Sequence, residues 1–176
     1  MAVAAIERLI AVGVIAATGV GWDLAERRVP NVLTTSGALL GLAWALTTQG
    51  PAGLAWSLGG CAVGLALFLP LFLVGGLGAG DVKLLAAFGA WLGPADIVWA
   101  ALWASILGGV MALVVASWRG YLGRALRNVG AIIGVWWTVG PGRVQGLTLD
   151  EAPGPRLAYA LPIAAGALLA MWLRQP

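Results

Sequence analysis

The chain of 176 residues is 61% hydrophobic and only 10% charged, against about a quarter charged in an ordinary soluble domain. That composition cannot clothe a globule in polar surface, and its Lys and Arg residues are too few and too dispersed for a nucleic-acid interface. There is no histidine and one cysteine, Cys61, which excludes Ser-His and Cys-His catalysis, an intrachain disulfide and the usual zinc sites. Any hydrolytic chemistry must therefore rest on carboxylates.

The expected architecture is an all-α integral membrane protein, with residues 1–176 forming a single membrane-embedded domain. A first apolar stretch covers 2–22. It lacks a basic n-region and a small-residue cleavage site before Asp23, so it is expected to be retained as a span rather than removed as a signal peptide. A polar break, Trp22-Asp-Leu-Ala-Glu-Arg-Arg-Val-Pro-Asn31, follows, and Pro30 in it forbids simple helix continuation. A second span is predicted at 32–48 and a third at 52–74, with Gly50-Pro51 between them. Next comes Gly75-Gly-Leu-Gly-Ala-Gly-Asp81, in which four glycines crowd into six residues before a carboxylate. A shorter fourth span at 81–93 ends at Gly93-Pro94, and a fifth runs over 97–117. Residues 119–136 carry Arg119, Arg124 and Arg127, with Leu122, Leu126, Val129, Ile133 and Trp136 on one helical face. This stretch is too short on its apolar side to cross about 30 Å of hydrocarbon, and predicts a cytosolic interfacial amphipathic helix. A Pro/Gly-rich loop leads to a sixth span at 156–174. The prediction is thus a bundle of six transmembrane helices plus the interfacial helix, its packing helped by small residues in 60–64 and 86–90.

Charge orients this arrangement. If the break after Asp23 faces the cytosol, that side holds Arg27, Arg28, Lys83, Arg119, Arg124, Arg127, Arg143 and Arg156, and only Arg8 and Arg174 lie opposite. This is a positive-inside asymmetry, with both termini outside. Span parity then brings Asp23 and Asp81, 58 residues apart, to the same membrane face, each at a helix end. A carboxylate in a span costs about 2.5–3.5 kcal/mol at the bilayer centre and less near the interface, so it is a functional candidate by default. Two such groups a few Å apart share a proton. One can then take a proton from water while the other donates to a peptide carbonyl, which is the requirement of an aspartic protease. No metal or cofactor is needed.

Each aspartate also has a plain structural reading. Asp23 can pair with Arg27 four residues on, and Asp81 can cap its own helix. Lys83 projects about 200° from Asp81 on a helix and is expected to snorkel toward headgroups. Glu26, Asp150 and Glu151 read as solvated, Cys61 as core packing, and Asp96 falls at the opposite face.

Gly78-Ala-Gly80-Asp81, followed by Val-Lys83-Leu-Leu85, resembles the Gly-x-Gly-Asp signature of intramembrane aspartyl proteases, in the form found in type IV prepilin peptidases. Asp23 followed by Arg28-Val-Pro30-Asn31 resembles the same family's other catalytic segment, and Tyr159-Ala-Leu-Pro-Ile-Ala-Ala-Gly166 its C-terminal pattern. The resemblance implies a peptidase of the inner membrane that cuts the short basic leader of prepilins or pseudopilins at the cytosolic side. Asp23 and Asp81 would be the catalytic pair, Gly78 and Gly80 the motif glycines, and Arg28, Pro30, Asn31 and Lys83 motif or substrate-binding positions. Larger members carry a cytosolic domain with paired Cys-x-x-Cys motifs linked to N-methylation. With one cysteine, this chain is more similar to the compact peptidases of tight-adherence (Flp) pilus systems, and archaeal preflagellin peptidases are related. The expected partners are a prepilin-type protein and membrane lipid. A small transporter or channel with Asp23 and Asp81 as ion or proton sites is the alternative from another class.

Overall fold

Residues 2–148 and 157–174 are described by a computed structural model. Asp150, Glu151 and Arg156, discussed above, lie outside them. Among the described residues every regular element is helical: α1 Ala2–Glu26, α2 Asn31–Leu73, α3 Ala79–Trp118, α4 Leu122–Val139 and α5 Ala160–Leu173. The predicted count of six membrane helices is therefore corrected. Among the described residues there are five helices, and three of them, α1, α2 and α3, are long and apolar enough to cross a membrane. The miscount has a physical cause. Gly50-Pro51 and Gly93-Pro94 each turn the chain without a loop, so each pair of expected helices is the two arms of one interrupted helix.

Both glycines take a left-handed φ, 67° at Gly50 and 78° at Gly93, which a side-chain-bearing residue adopts only at a cost. The proline that follows starts the next arm, because its missing N–H is not needed in a first turn. The arms fold back on one another. Trp91 Nε1 donates to the Gly37 carbonyl at 2.8 Å and Ser57 Oγ to the Ala90 carbonyl at 2.6 Å. Gly37 and Ser57 would stand about 30 Å apart on a straight helix, so α2 reverses at Gly50. Likewise Tyr159 lines a cavity with Asp81 and packs on Gly108, positions about 40 Å apart on a straight helix. The chain thus reverses again at Gly93.

The first arm of α3 is the centre of the bundle. Residues 84–93 are buried without interruption, whereas a helix at a surface buries one stripe only. Lipid is as apolar as leucine, so close packing and hydrogen bonds must hold the helices together. The two small-residue patches supply that packing by meeting each other: a methyl on Gly60 would come within 2.7 Å of Gly93 Cα, and one on Gly64 within 3.0 Å of Ala86 Cα. On the other side Gly166 of α5 leaves room for the α3 backbone at Ala104, whose nitrogen an added methyl would approach to 2.7 Å.

α4 behaves differently. None of its residues is buried, and Leu126, Val129 and Ile133 of its apolar face are each more than half exposed. It is tethered mainly at its end, where Trp136 Nε1 donates to the Gly142 carbonyl at 2.8 Å. Arg143 of the following segment then donates to the Leu73 carbonyl at 3.0 Å.

Candidate active site

The site forms where α1 ends, α3 begins and α5 begins. α1 closes with Arg27 N–H donating to the Asp23 carbonyl at 3.0 Å, and Arg27 then takes a left-handed φ of 55°. That turn sends Val29 inward, where it is buried, and Pro30 at φ −63°, ψ 139° starts α2. Gly80 lies against this connection: an added methyl would stand 3.3 Å from Val29 Cβ. The second glycine of the motif is thus the place where the head of α3 touches the segment that carries Asp23.

Asp81 occupies the first turn of α3, and its Oδ2 accepts the Gly78 N–H at 3.2 Å. The same oxygen lies 3.1 Å from where a side chain on Gly78 would begin, so the first motif glycine leaves room for the carboxylate to fold back. Asp23 is 6% exposed and its Oδ2 accepts the Ala160 N–H at 3.0 Å. That donor is one of the unpaired first-turn groups of α5. Each aspartate therefore sits at a helix N-terminus, Asp81 at its own and Asp23 at another helix's. The capping reading of Asp81 is thus part of its geometry, and the contact between Asp23 and Arg27 runs through the backbone.

The two carboxylates open into one cavity of about 200 Å³, shared with Arg27, Arg28, Val29, Gly78, Gly80 and Tyr159. They are close enough for the charge of Asp23 to act on Asp81. Of the eight residues singled out in the sequence, Asp23, Asp81, Gly78, Gly80 and Arg28 meet at this cavity. Pro30, Asn31 and Lys83 do not line it. Lys83 Nζ instead donates to Asn31 Oδ1 at 2.9 Å on the exposed side, tying the start of α3 to the start of α2. Arg28 reaches outward to Glu26 at 3.1 Å. Among the described residues no group of three His, Cys, Asp or Glu is placed to hold a metal.

A model of the type IV leader peptidase family matches residues 9–113. The chain belongs to that family. No curated protein and no solved structure matches it. Membership makes it a leader-peptidase-like protease, and the three long apolar helices make it a membrane protein. The matched span holds both aspartates and both motif glycines of this leader peptidase homologue, but stops before α4 and α5.

Two contributions from beyond that span were not picked out as site residues from the sequence. One is the Ala160 N–H. The other is Tyr159, where burial, and after it the charge of Asp81, push the phenol above its usual value. Tyr159 is therefore a neutral hydroxyl at the cavity wall. The signal for both was present in Tyr159-Ala-Leu-Pro162, since a proline in a first turn marks a helix start with free N–H donors ahead of it.

Proposed function

We propose that the chain is an aspartic endopeptidase that removes the short basic leader of prepilin- or pseudopilin-type substrates, with Asp23 and Asp81 as the catalytic pair. The observation that carries the reading is that two carboxylates from α1 and α3 open into one cavity at one end of an apolar bundle. Family membership supports leader peptides as the substrate class. Two carboxylates sharing a site of low dielectric hold one proton between them. The ionised one takes a proton from a water as that water attacks the scissile carbonyl. The protonated one hydrogen-bonds to the carbonyl oxygen and transfers its proton as the tetrahedral intermediate forms. On collapse the carboxyl that took the water's proton gives it to the leaving amine. The other carboxylate takes a proton from a hydroxyl of the gem-diol as the carboxylic acid product forms, and the pair again holds one proton. The N–H groups of Gly78 and Ala160 hold the two side chains in place through this cycle.

In this reading each arm of α2 and α3 crosses the membrane separately, since α2 laid straight would be about 65 Å long, twice the hydrocarbon thickness. The excess of Lys and Arg at the aspartate end supports a site at the cytosolic face of the inner membrane. α4 lies along that face, with its exposed apolar side in lipid. Co-expression with a candidate prepilin, followed by mass spectrometry of the product's N-terminus, tests the assignment. Asp23→Asn and Asp81→Asn should each leave the precursor intact, and cleavage at the wild-type rate by either variant rejects it.

A further inference from the structure

At the far end of the bundle from Asp23 and Asp81 lies a polar cluster that the proposed chemistry does not use. Asp96, just past the Gly93 turn, is paired with Arg174 at 2.7 Å. Glu7 accepts the indole N–H of Trp44 at 2.9 Å. Arg8 lies within reach of the Asp96 charge but is not paired with it. Among the described residues it makes no ion pair, and its Nε is buried without a hydrogen-bond partner. Its guanidinium lies over the rings of Trp44 and Trp56, at 4.8 and 5.2 Å. Stacking engages the faces of a guanidinium, whereas its N–H donors lie in the plane. The rings hold Arg8 in position, and its Nε–H, buried without a partner, is in an unfavourable state for a charged donor.

Two cavities flank Trp91 at this end of the bundle. One, of about 180 Å³, is lined by Arg8, Asp96 and Arg174. The other, of about 450 Å³, is an apolar groove between α1 and the first arm of α2, with Val14, Leu40 and Ala43 along it. Trp91 is a wall of both. A cationic pocket beside an apolar groove that opens on the outside of the bundle matches one amphiphile, an anionic head on a hydrocarbon chain. The tryptophans around Arg8 are the residues enriched where a bilayer's interface lies.

We propose that this is a phospholipid site: the in-plane donors of Arg8 take the phosphate oxygens of a bilayer phospholipid, and one acyl chain lies in the groove between α1 and α2. Asp96 does not oppose the phosphate at full strength, because Arg174 already neutralises it. A phosphate is the group that a guanidinium binds with two parallel hydrogen bonds. The site is independent of the peptidase reading and lies away from both aspartates.

The test is a titration of the purified, delipidated full chain with phosphatidylglycerol, read by native mass spectrometry. The wild type should hold one tightly bound lipid, and Arg8→Gln should weaken it about tenfold, the loss expected for a charge-assisted hydrogen bond. Ala43→Phe, which fills the groove and leaves Arg8 untouched, should weaken it as well. Helical circular dichroism and a single gel-filtration peak establish that each variant is folded, and Ala43→Phe alone decides if Arg8→Gln is not. Wild-type affinity in a folded Arg8→Gln or Ala43→Phe protein overturns the site. Thermal protection by inorganic phosphate equal to that by the lipid also overturns it, because the groove would then contribute nothing.

Discussion

Both ends of this bundle place carboxylates in an apolar setting, and they treat them in opposite ways. At one end Asp96 is answered by Arg174 at 2.7 Å, and Glu7 by the Trp44 indole. At the other, Asp23 and Asp81 share a cavity, and each accepts a backbone N–H, from Ala160 and Gly78. Among the described residues neither is held in a salt bridge. An arginine would fix a carboxylate's charge, whereas a backbone donor fixes its position and leaves it free to exchange a proton. A pair that must pass a proton requires the second arrangement. The first suits a charge whose task is to hold two helix ends together.

The strongest way to break this contrast is to neutralise one aspartate at each end. Asp23→Asn and Asp81→Asn keep an oxygen that can accept the Ala160 or Gly78 N–H, so the helix ends should stay in place. Leader cleavage should nevertheless fall by about 10²–10⁴-fold, the usual worth of a general acid or base, as followed by precursor gel shift against time. Asp96→Asn should leave that rate unchanged. Equal losses of cleavage at the two ends would erase the distinction.

The next effect comes from Gly80. In Gly80→Val the new side chain must push Val29 away, because the first added carbon already stands 3.3 Å from it. The connection that carries Asp23 then moves relative to the head of α3. A displacement of about 1 Å at a reacting group can cost on the order of 10²-fold in rate. Cleavage should fall by about that factor while helical circular dichroism is retained. A wild-type rate in Gly80→Val would mean that the contact with Val29 does not align the pair.

The aspartate end was legible in the sequence because it depends on few steps. Apolar runs and polar breaks mark span ends, parity puts Asp23 and Asp81 on one side, and the absence of histidine turns hydrolytic acid–base chemistry toward carboxylates. Three things were not legible. Gly50-Pro51 and Gly93-Pro94 carry the ordinary signature of a boundary, and the pattern does not distinguish a loop from a reversal within an interrupted helix. The part of α5 in the site was hidden for another reason. The Ala160 N–H is backbone, and whether a first-turn donor meets Asp23 depends on how α5 packs on α3 at Gly166, a tertiary contact between residues far apart in the chain. The Arg8 cluster was reduced in the sequence to one of two outward cations, because its meaning comes from Trp44 and Trp56, which only the folded arms bring to it.

A smaller effect sharpens the contrast from the other side. The Asp96–Arg174 pair is partly solvated, with side chains 35% and 42% exposed, so water screens it and its worth is about 0.5–1 kcal/mol. Arg174→Gln should lower the melting temperature in detergent slightly and leave leader cleavage intact. It also frees Asp96 to face Arg8. The double variant Arg174→Gln with Asp96→Asn should therefore be no less stable than either single one. A double variant that loses the sum of the two would show that the side chains act separately and that the pair does not bridge α3 and α5.

The smallest expected effect concerns Tyr159, which stands at the cavity wall. Burial, and then the Asp81 charge, hold its phenol above the ordinary value of 10.0. The folded state thus binds the phenolic proton more tightly than the unfolded chain does. The resulting stability is present in full below pH 10, and is lost as the pH rises past the unfolded value toward the folded one. Wild-type protein should accordingly lose melting temperature above about pH 10 more steeply than Tyr159→Phe, which has no proton to release there. At neutral pH the hydroxyl is un-ionised in both states, so the substitution should leave the melting temperature nearly unchanged. Cleavage at neutral pH then reports separately on whether the hydroxyl touches the reacting peptide. An alkaline limb of the same slope in Tyr159→Phe would mean that the phenol is not held near Asp81, and α5 would then contribute only its Ala160 N–H to the site.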